Sequence, residues 1–180
     1  MGHRHSHDEM LAAAVAVAAE AGLSGLTFAK VAERLGTSDR MVVYYFPSKS
    51  ALVEATVAAM GLELQVVLAA AFGDEPKTAR ELLEAAWPVL TTPSADAVFA
   101  VFFEAVGLAS ARVQPYQGLA EVLMEEWVKW LSPRVLGATA AVRRREALAL
   151  MARLDGLLML RRVMGAKPAQ AAFEGVLATA

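Results

Sequence analysis

Apolar residues recur at helical spacing along most of the chain, and this pattern predicts an all-α protein of about nine helices. Residues 26–52 contain two short patterns of this kind, separated by Gly36. Two short helices that pack at a steep angle through their apolar faces form a helix-turn-helix, and its inward side chains are called the mini-core below. The predicted mini-core consists of Val31, Ala32, Leu35, Val42, Tyr45 and Phe46.

Residues suited to helix ends mark the boundaries of this motif. Thr27 and Ser38 each precede a helical pattern, where a hydroxyl can accept a hydrogen bond from the first turn. Gly36 follows the first pattern, at a position where glycine most easily adopts the left-handed conformation of a C-cap. Ser48 and Lys49 then open the next helix, whose N-terminus favours a phosphate.

The outward face of the second short helix is the candidate DNA-reading surface. With the mini-core side chains turned inward, Asp39, Arg40, Val43 and Tyr44 must point away from it. Arg40 can donate two hydrogen bonds to a guanine edge or pair with a phosphate, and tyrosine hydroxyls can reach phosphates. A helix with such a face can lie in the major groove, so the pattern predicts DNA binding.

The order of motifs resembles the N-terminal domain of TetR-family repressors: an AG-L-T segment, a G-x-S turn, a short helix ending in YYF, and then P-S-K-x-A-L. The resemblance implies a three-helix helix-turn-helix DNA-binding head at residues 1–50. It also implies a C-terminal helical ligand-binding and dimerisation bundle at residues 51–180. Family members are cytoplasmic bacterial homodimers that bind operator double-stranded DNA and release it when a small-molecule inducer binds. The predicted DNA-binding residues are Thr27, Ser38, Asp39, Arg40, Met41, Tyr44, Tyr45 and Lys49.

Two residues and the local charge depart from a strongly DNA-binding pattern. Val43 stands where the family most often has a phosphate-contacting tyrosine. Asp39 either accepts a hydrogen bond from a cytosine amino group or only favours the helix dipole. Residues 1–50 contain five Lys or Arg and five Asp or Glu, so the segment is formally neutral. We therefore expect weak binding to random DNA and a modest dependence on salt.

The chemistry of the chain excludes most familiar enzyme sites. It has no cysteine, and its three histidines all lie at positions 3, 5 and 7. A Ser-His-Asp, Cys-His or zinc-histidine site thus cannot be built in the folded body, and we expect no enzyme activity, metal or cofactor. Residues 1–7 are predicted to be a disordered tail, more often inert than metal-binding.

The overall composition indicates a cytoplasmic protein with a partner-facing apolar surface. The chain is 57% apolar with a mean hydropathy of +0.42, which is high for a soluble monomer. Acidic or basic residues interrupt every helical pattern before an uncharged run reaches the ~18 residues of a membrane span. No signal-peptide pattern opens the chain, so we expect no membrane association.

Six further helical segments follow the head. The first should run from Lys49 to Phe72, and the last should be a short helix after Pro168. Proline, serine and glycine positions set the boundaries between them. The remaining expected boundaries are a start at Glu75-Pro76-Lys77, a Ser94 cap, a helix from Pro115 to Ser132-Pro133, and a long helix over about 140–164.

The middle helices are rich in aromatic residues, which either pack a simple core or line a ligand cavity. The family resemblance implies a cavity for a small, largely apolar inducer. Glu104 would then be a polar or cation-pairing group in that cavity, unless it is only solvent-exposed. The predicted ligand-binding residues are Met60, Trp87, Phe99, Phe102, Phe103, Glu104, Leu123 and Trp127.

The last long pattern is apolar on more than one stripe, so its helix needs two neighbours. One neighbour would be its own chain and the other a symmetry mate, because small residues permit close approach. The resemblance points to this helix and the final one as the dimer seam. The predicted interface residues are Leu148, Met151, Ala152, Leu154, Gly156, Leu158, Phe173 and Leu177.

Two functions follow from these patterns. The first is a ligand-responsive transcriptional regulator, most often a repressor in this family, that binds a palindromic operator as a homodimer. The alternative is a helical module that binds a small molecule or a protein and has a head that does not bind DNA. The neutral charge, Asp39 and Val43 are the features that speak for the alternative, whereas the order of motifs predicts the regulator.

Overall fold

The computed structural model describes residues 5–179, and over this range the all-α prediction is confirmed. The described residues form nine α-helices and one 3-10 turn, and their only β-type pairing is an isolated bridge between Lys77 and Val135. The helices are α1 His7–Gly25, α2 Phe28–Leu35, α3 Asp39–Tyr45, α4 Lys49–Phe72, α5 Ala79–Leu90, α6 Pro93–Ser110, α7 Tyr116–Leu131, α8 Ala140–Met164 and α9 Ala166–Thr179, with the 3-10 turn at Ser132–Arg134.

The chain divides into two compact units. The first unit comprises Met1–Leu64 and Ala97–Ala120, and the second comprises Gln65–Asp96 and Glu121–Ala180. The first unit thus groups most of α6 with the three helices of the head. The functional boundary predicted at residue 50 is a different division, and it stays a prediction.

Helix ends in the head follow the predicted chemistry with one exception. The Thr27 hydroxyl accepts from the backbone N–H of Lys30 at 3.2 Å, and Gly36 is left-handed with φ 62° and ψ 36°. The Ser48 hydroxyl accepts from the backbone N–H of Ala51 at 3.1 Å. Ser38 occupies the N-cap position of α3, but its side chain makes no capping hydrogen bond. The predicted N-cap position of Ser38 is therefore confirmed, but the predicted capping hydrogen bond is wrong.

Ser6 and His7, predicted to belong to a disordered tail, are ordered at the start of α1. Ser6 caps α1 through a capping box, in which its hydroxyl accepts from the Glu9 N–H at 3.1 Å and the Glu9 carboxylate accepts from the Ser6 N–H at 2.7 Å. His7 is already helical, because this reciprocal pair satisfies two backbone donors that a helix end leaves unpaired. Residues 1–4 of the predicted tail lie outside the described residues.

Three predicted helix boundaries shift for identifiable reasons. α5 begins after Thr78, because Thr78 and Glu81 form a capping box while Lys77 pairs with Val135. The N-terminal turn of α6 is capped by the Thr92 hydroxyl, which accepts from the Ala95 N–H at 3.3 Å, so the predicted Ser94 cap is wrong. α9 begins two residues before Pro168, which lies in the first turn, where its missing N–H has no helical partner to lose.

The second unit has its core between α5 and α8. The buried core residues that these two helices supply are fully apolar. Full burial of one large side chain of this kind contributes roughly 1.5 to 3 kcal/mol, so this pairing stabilises the unit. These residues are Leu82, Leu83, Ala86 and Leu90 of α5 and Ala147, Leu150, Leu154, Leu157 and Leu158 of α8.

Trp87 links α9 to this core by ring stacking and a hydrogen bond. Its ring stacks on Phe173 with 4.9 Å between ring centroids and 8° between planes. Its Nε1 donates to Oε1 of Gln170 at 2.8 Å, so the polar edge of the indole is satisfied as well. Both rings are buried. Trp87, predicted to bind ligand, and Phe173, predicted to lie at the dimer seam, therefore contact each other within the second unit.

Asp155 is a partly buried carboxyl in the middle of α8, and burial raises its pKa to about 6. The folded chain then holds the proton more tightly than the unfolded chain, whose carboxyl has a pKa near 3.8. The associated stability is fully present below pH 3.8 and is lost as pH rises through about 6. We expect Asp155→Asn to raise the free energy of unfolding at pH 8, by up to about 3 kcal/mol.

Urea unfolding at pH 8 and pH 4.5, at a fixed protomer concentration, measures this effect. The gain should shrink strongly at pH 4.5, where the wild-type carboxyl is mostly protonated. Asp74→Asn is the matched control, because Asp74 is exposed in the turn after α4. If Asp155→Asn changed the free energy of unfolding equally at both pH values, burial of the Asp155 charge would not destabilise the folded chain.

Among the described residues, two helices are long and apolar enough to cross a membrane by length and composition alone. They are Lys49–Phe72 and Pro93–Ser110, with mean hydropathies of 1.7 and 1.3 over their best windows. Core helices of soluble proteins meet the same criterion, and α4 carries Glu54 and Glu63. This feature is weak evidence and does not support a membrane location.

Candidate nucleic-acid interface

The mini-core orients α3 as the sequence predicts. Val31, Ala32, Val42 and Phe46 are buried, while Leu35 and Tyr45 are half-buried. α2 and α3 therefore pack on each other and on α1 through apolar side chains. Because this packing fixes the rotation of α3 about its axis, it also fixes which residues α3 presents to solvent.

The outward face of α3 carries the residues that were expected there. Asp39, Arg40, Val43 and Tyr44 are all exposed, and Tyr44 has a relative accessibility of 78%. Met41 is half-buried at the edge of this face. The prediction that Asp39, Arg40, Val43 and Tyr44 point away from the mini-core is confirmed, while their contact with DNA stays a prediction.

Arg40 is an exposed cation on the outward face of α3. Within residues 5–179 its side chain has no hydrogen-bond or ion-pair partner, so its guanidinium donors are available. Arg34 on α2 is instead paired with Glu20 at 2.9 Å. Asp39 beside Arg40 lies in the first turn of α3, where a negative charge favours the helix dipole.

Tyr45 has a different environment from Tyr44. Its hydroxyl donates to the backbone carbonyl of His5 at 2.6 Å, and its ring contacts the rings of His7 and Tyr44. The hydroxyl is therefore used within the chain, where it ties the end of α3 to the start of α1. Because this hydrogen bond uses the hydroxyl, Tyr45 is a weaker candidate for a phosphate contact than Tyr44. Sequence reasoning missed this hydrogen bond because the partner is a backbone atom.

Lys49 opens α4, but its amine is already in contact with the head. Nζ donates to the backbone carbonyl of Leu23 at 3.3 Å. Burial lowers the pKa of the Lys49 amine, although the negative charge of Glu104 acts in the opposite direction. Thr27 and Ser38 are exposed at the N-termini of α2 and α3, where backbone N–H groups can approach a phosphate.

Glu104 on α6 is bonded to the end of α1. Its carboxylate accepts from the backbone N–H groups of Leu23, at 2.7 Å, and Ser24, at 2.9 Å, and from the Ser24 hydroxyl. Burial would raise the pKa of Glu104, but these hydrogen bonds outweigh it, and the pKa lies below its usual value. The carboxylate is thus occupied by the first unit itself. A ligand that bound to the Glu104 carboxylate, as predicted, would therefore compete with these hydrogen bonds.

The remaining ligand candidates of the first unit include an aromatic cluster on α6. Phe99, Phe102 and Phe103 are half-buried, with ring centroids 5.3 to 6.0 Å apart. Such partly covered rings can accept a planar apolar ligand, whereas Met60 is buried in the unit's core. The predicted ligand role of these residues stays a prediction.

The ligand candidates of the second unit have mixed environments. Trp87 is used in the packing of α9, as described above. Leu123 and Trp127 on α7 are half-buried, and Trp127 contacts Trp130 with 5.5 Å between ring centroids. Their role in ligand binding likewise stays a prediction.

A polar cleft of about 450 Å³ opens in the second unit beside Asp96, Arg161, Arg162 and Ala166. Arg161 forms two hydrogen bonds of 3.2 Å with the Asp96 carboxylate and a third with the carbonyl of Thr91 at 2.8 Å. These charges are therefore largely satisfied inside the chain. Over residues 5–179, no group of three or more histidine or acidic residues is placed to hold a metal ion.

The predicted dimer residues fall into two sets by exposure. Leu154, Leu158 and Phe173 are buried within the second unit, so they support its core. The others are exposed or half-buried and are free to contact a second copy. They are Leu148, Met151, Ala152, Gly156 and Leu177, to which the exposed α8 residues Met159 and Val163 can be added.

The sequence of the head matches a known family. Residues 10–56 match the sequence profile of the bacterial regulatory proteins of the tetR family. The matched segment covers most of α1, all of α2 and α3, and the first turns of α4. No protein of curated function matches the chain.

Solved structures share the fold over nearly the whole chain. A TetR-family transcriptional regulator from Rhodococcus sp. is 19% identical and superposes with a TM-score of 0.77, covering 96% of this chain and 95% of its own. A transcriptional regulator from Rhodococcus sp. Rha1 is 25% identical, with a TM-score of 0.70 and coverages of 96% and 92%. The multidrug binding protein EbrR, solved with proflavin, is 22% identical, with a TM-score of 0.68 and coverages of 96% and 98%.

Proposed function

We propose that this member of the TetR family, to which its residues 10–56 belong, is a ligand-responsive transcriptional repressor that binds a palindromic operator as a homodimer. TetR-family regulators are DNA-binding proteins without enzymatic activity. The single observation that carries the proposal is the exposed face of α3, with Arg40 and Tyr44 directed outward over a buried mini-core.

In the proposed complex, α3 lies in the major groove. Arg40 is placed to donate to a guanine edge, and Tyr44 to contact a phosphate or a thymine methyl group. The N-termini of α2 and α4 would flank the groove and bind phosphates through backbone N–H groups. Two heads related by a two-fold axis would occupy successive major grooves, ~34 to 36 Å apart.

The proposed ligand is a small, largely apolar molecule that binds to aromatic side chains of the middle helices. Support comes from the half-buried cluster Phe99, Phe102 and Phe103 and from the EbrR structures, which hold proflavin and malachite green. Ligand and operator must weaken each other by the same factor if each favours a different state of the dimer. Proflavin and malachite green are the first probes to use.

Selection from a pool of random duplexes tests the proposed function. We expect the full-length protein to enrich an inverted repeat whose half-sites are centred about one helical turn apart. At physiological salt the enriched duplex should bind on the order of a thousandfold more tightly than random DNA. Equal retention of enriched and random duplexes would refute a specific operator. Failure to bind either duplex would favour the alternative of a helical module with a head that does not bind DNA.

A second measurement addresses the ligand. Titration of the protein with proflavin, with and without the selected operator, gives two dissociation constants for the dye. Reciprocal weakening of dye and operator is the expected result, and a dye that binds tightly without altering operator affinity would refute the proposed coupling.

A further inference from the structure

The C-terminal end of α1 is broken in a way that exposes two backbone donors. Gly22 has φ 70° and ψ −179°, a conformation outside the helical region that glycine adopts readily. A Cβ atom at this position would lie 2.6 Å from Oε2 of Glu104. Because the break removes the usual helical geometry, the N–H groups of Leu23 and Ser24 donate to an acceptor outside the backbone of α1.

That acceptor is the Glu104 carboxylate, which lies 80 residues further along the chain. Each of its oxygens takes one of the two N–H groups, and the Ser24 hydroxyl adds a third bond. Hydrogen bonds to a carboxylate are roughly twice as strong as those between neutral groups. The arrangement fixes the end of α1, three residues before the Thr27 cap of α2.

Lys49 completes the cluster from the other side. Its amine donates to the carbonyl of Leu23, the residue whose N–H is bound to Glu104. The Glu104 charge attracts the same amine. Lys49 is one of the side chains expected to reach a DNA phosphate, so the predicted phosphate contact is already engaged inside the protein.

We propose that Glu104 is a positioning residue for DNA binding, which holds the Lys49 amine on the turn after Gly22 and so restrains its contact with phosphate. The inference rests on the proposed DNA-binding function. Moving the Lys49 amine outward to a phosphate would break its hydrogen bond to the Leu23 carbonyl and oppose the attraction of Glu104. The head therefore keeps its affinity for random DNA low, and base contacts from α3 contribute a larger share of binding.

The test is the salt dependence of binding to a 30-base-pair random duplex, measured by fluorescence anisotropy over 50 to 300 mM KCl, about the range where such slopes are clearest. In Glu104→Gln the negative charge is lost while one acceptor oxygen remains. The slope of log affinity against log salt should steepen by about one for each head. Affinity for random DNA at about 100 mM KCl should rise on the order of tenfold.

Matched variants separate this effect from a general change of charge. Glu121→Gln changes the net charge equally at an exposed position on α7, and it should leave the slope unchanged. Adding Lys49→Ala to Glu104→Gln should remove the gain, because Lys49 is the group released. An unchanged slope in Glu104→Gln, or a gain that survives Lys49→Ala, would overturn the proposal.

A variant with Glu104 intact keeps the proposal testable if Glu104→Gln does not fold. Lys49→Ala alone should change the salt slope for random DNA by well under one for each head, because Lys49 is restrained in the native protein. A full loss of one for each head would overturn the proposal. If the wild-type protein bound no DNA, the proposed function would fail instead, so the two failures are distinguishable.

Discussion

Arg40→Ala is expected to weaken operator binding strongly while leaving the dimer and its fold intact. Arg40 is exposed on α3 and has no partner within the described residues, so its removal should not disturb the packing of the head. A bidentate contact to guanine contributes about 1 to 3 kcal/mol. Two heads would then lose a factor on the order of 30 to 10,000 in affinity for the operator.

Fluorescence anisotropy with the selected operator and with random duplex measures this loss. Arg145→Ala is the matched control, because it removes the same charge from an exposed position on α8. The control should bind the operator as tightly as the wild type. Equal weakening of Arg40→Ala on operator and random DNA would mean that Arg40 contacts only phosphate. If Arg40→Ala weakened binding to neither duplex, the proposal that α3 reads the DNA would be wrong.

Ala152→Glu combined with Met159→Glu is expected to convert a dimer into a monomer. Both residues lie on an exposed apolar stripe of α8, with Leu148 and Val163 at either end at 42% and 79% relative accessibility. Their spacing of four and seven residues keeps all four on one side of the helix. Two glutamates there would place like charges opposite each other across a two-fold axis.

Sedimentation velocity checks this prediction directly. The wild type should sediment at twice the 19.1 kDa mass of the chain, and the double variant at the mass of one chain. Operator affinity should fall by about two to four orders of magnitude, because the second head is no longer held near its half-site. Leu62→Glu is the control, since Leu62 is an equally exposed apolar residue on α4. A double variant that stays dimeric would place the interface elsewhere.

Local rules predict the head well because its signals lie close together in sequence. Gly36 ends α2 in a left-handed conformation, and Thr27 caps it three residues before its bonding partner. The spacing of Val31 and Val42 sets which faces are buried. Each of these effects spans a few residues, so the sequence alone contains the necessary information.

Contacts between distant residues are harder to predict, because they depend on where the backbone places its polar groups. Glu104 looks like a candidate ligand contact in the sequence, yet it binds two N–H groups that only the break at Gly22 exposes. The sequence likewise assigns Trp87 to a cavity and Phe173 to a dimer seam, and it does not predict that the two rings stack on each other. The glycine in the AGL segment was the available signal, but nothing in the sequence names its acceptor.

The hydrogen bond from Tyr45 to His5 has a consequence for how the head loses its order. Chain termini are ordinarily the first parts of a domain to fray. Here the first residues before α1 accept a bond from the last residue of α3, and the Ser6 capping box holds them in place. Opening of the first turn of α1 and loosening of the end of α3 are therefore coupled. Hydrogen exchange should find amides at the start of α1 and the end of α3 opening together.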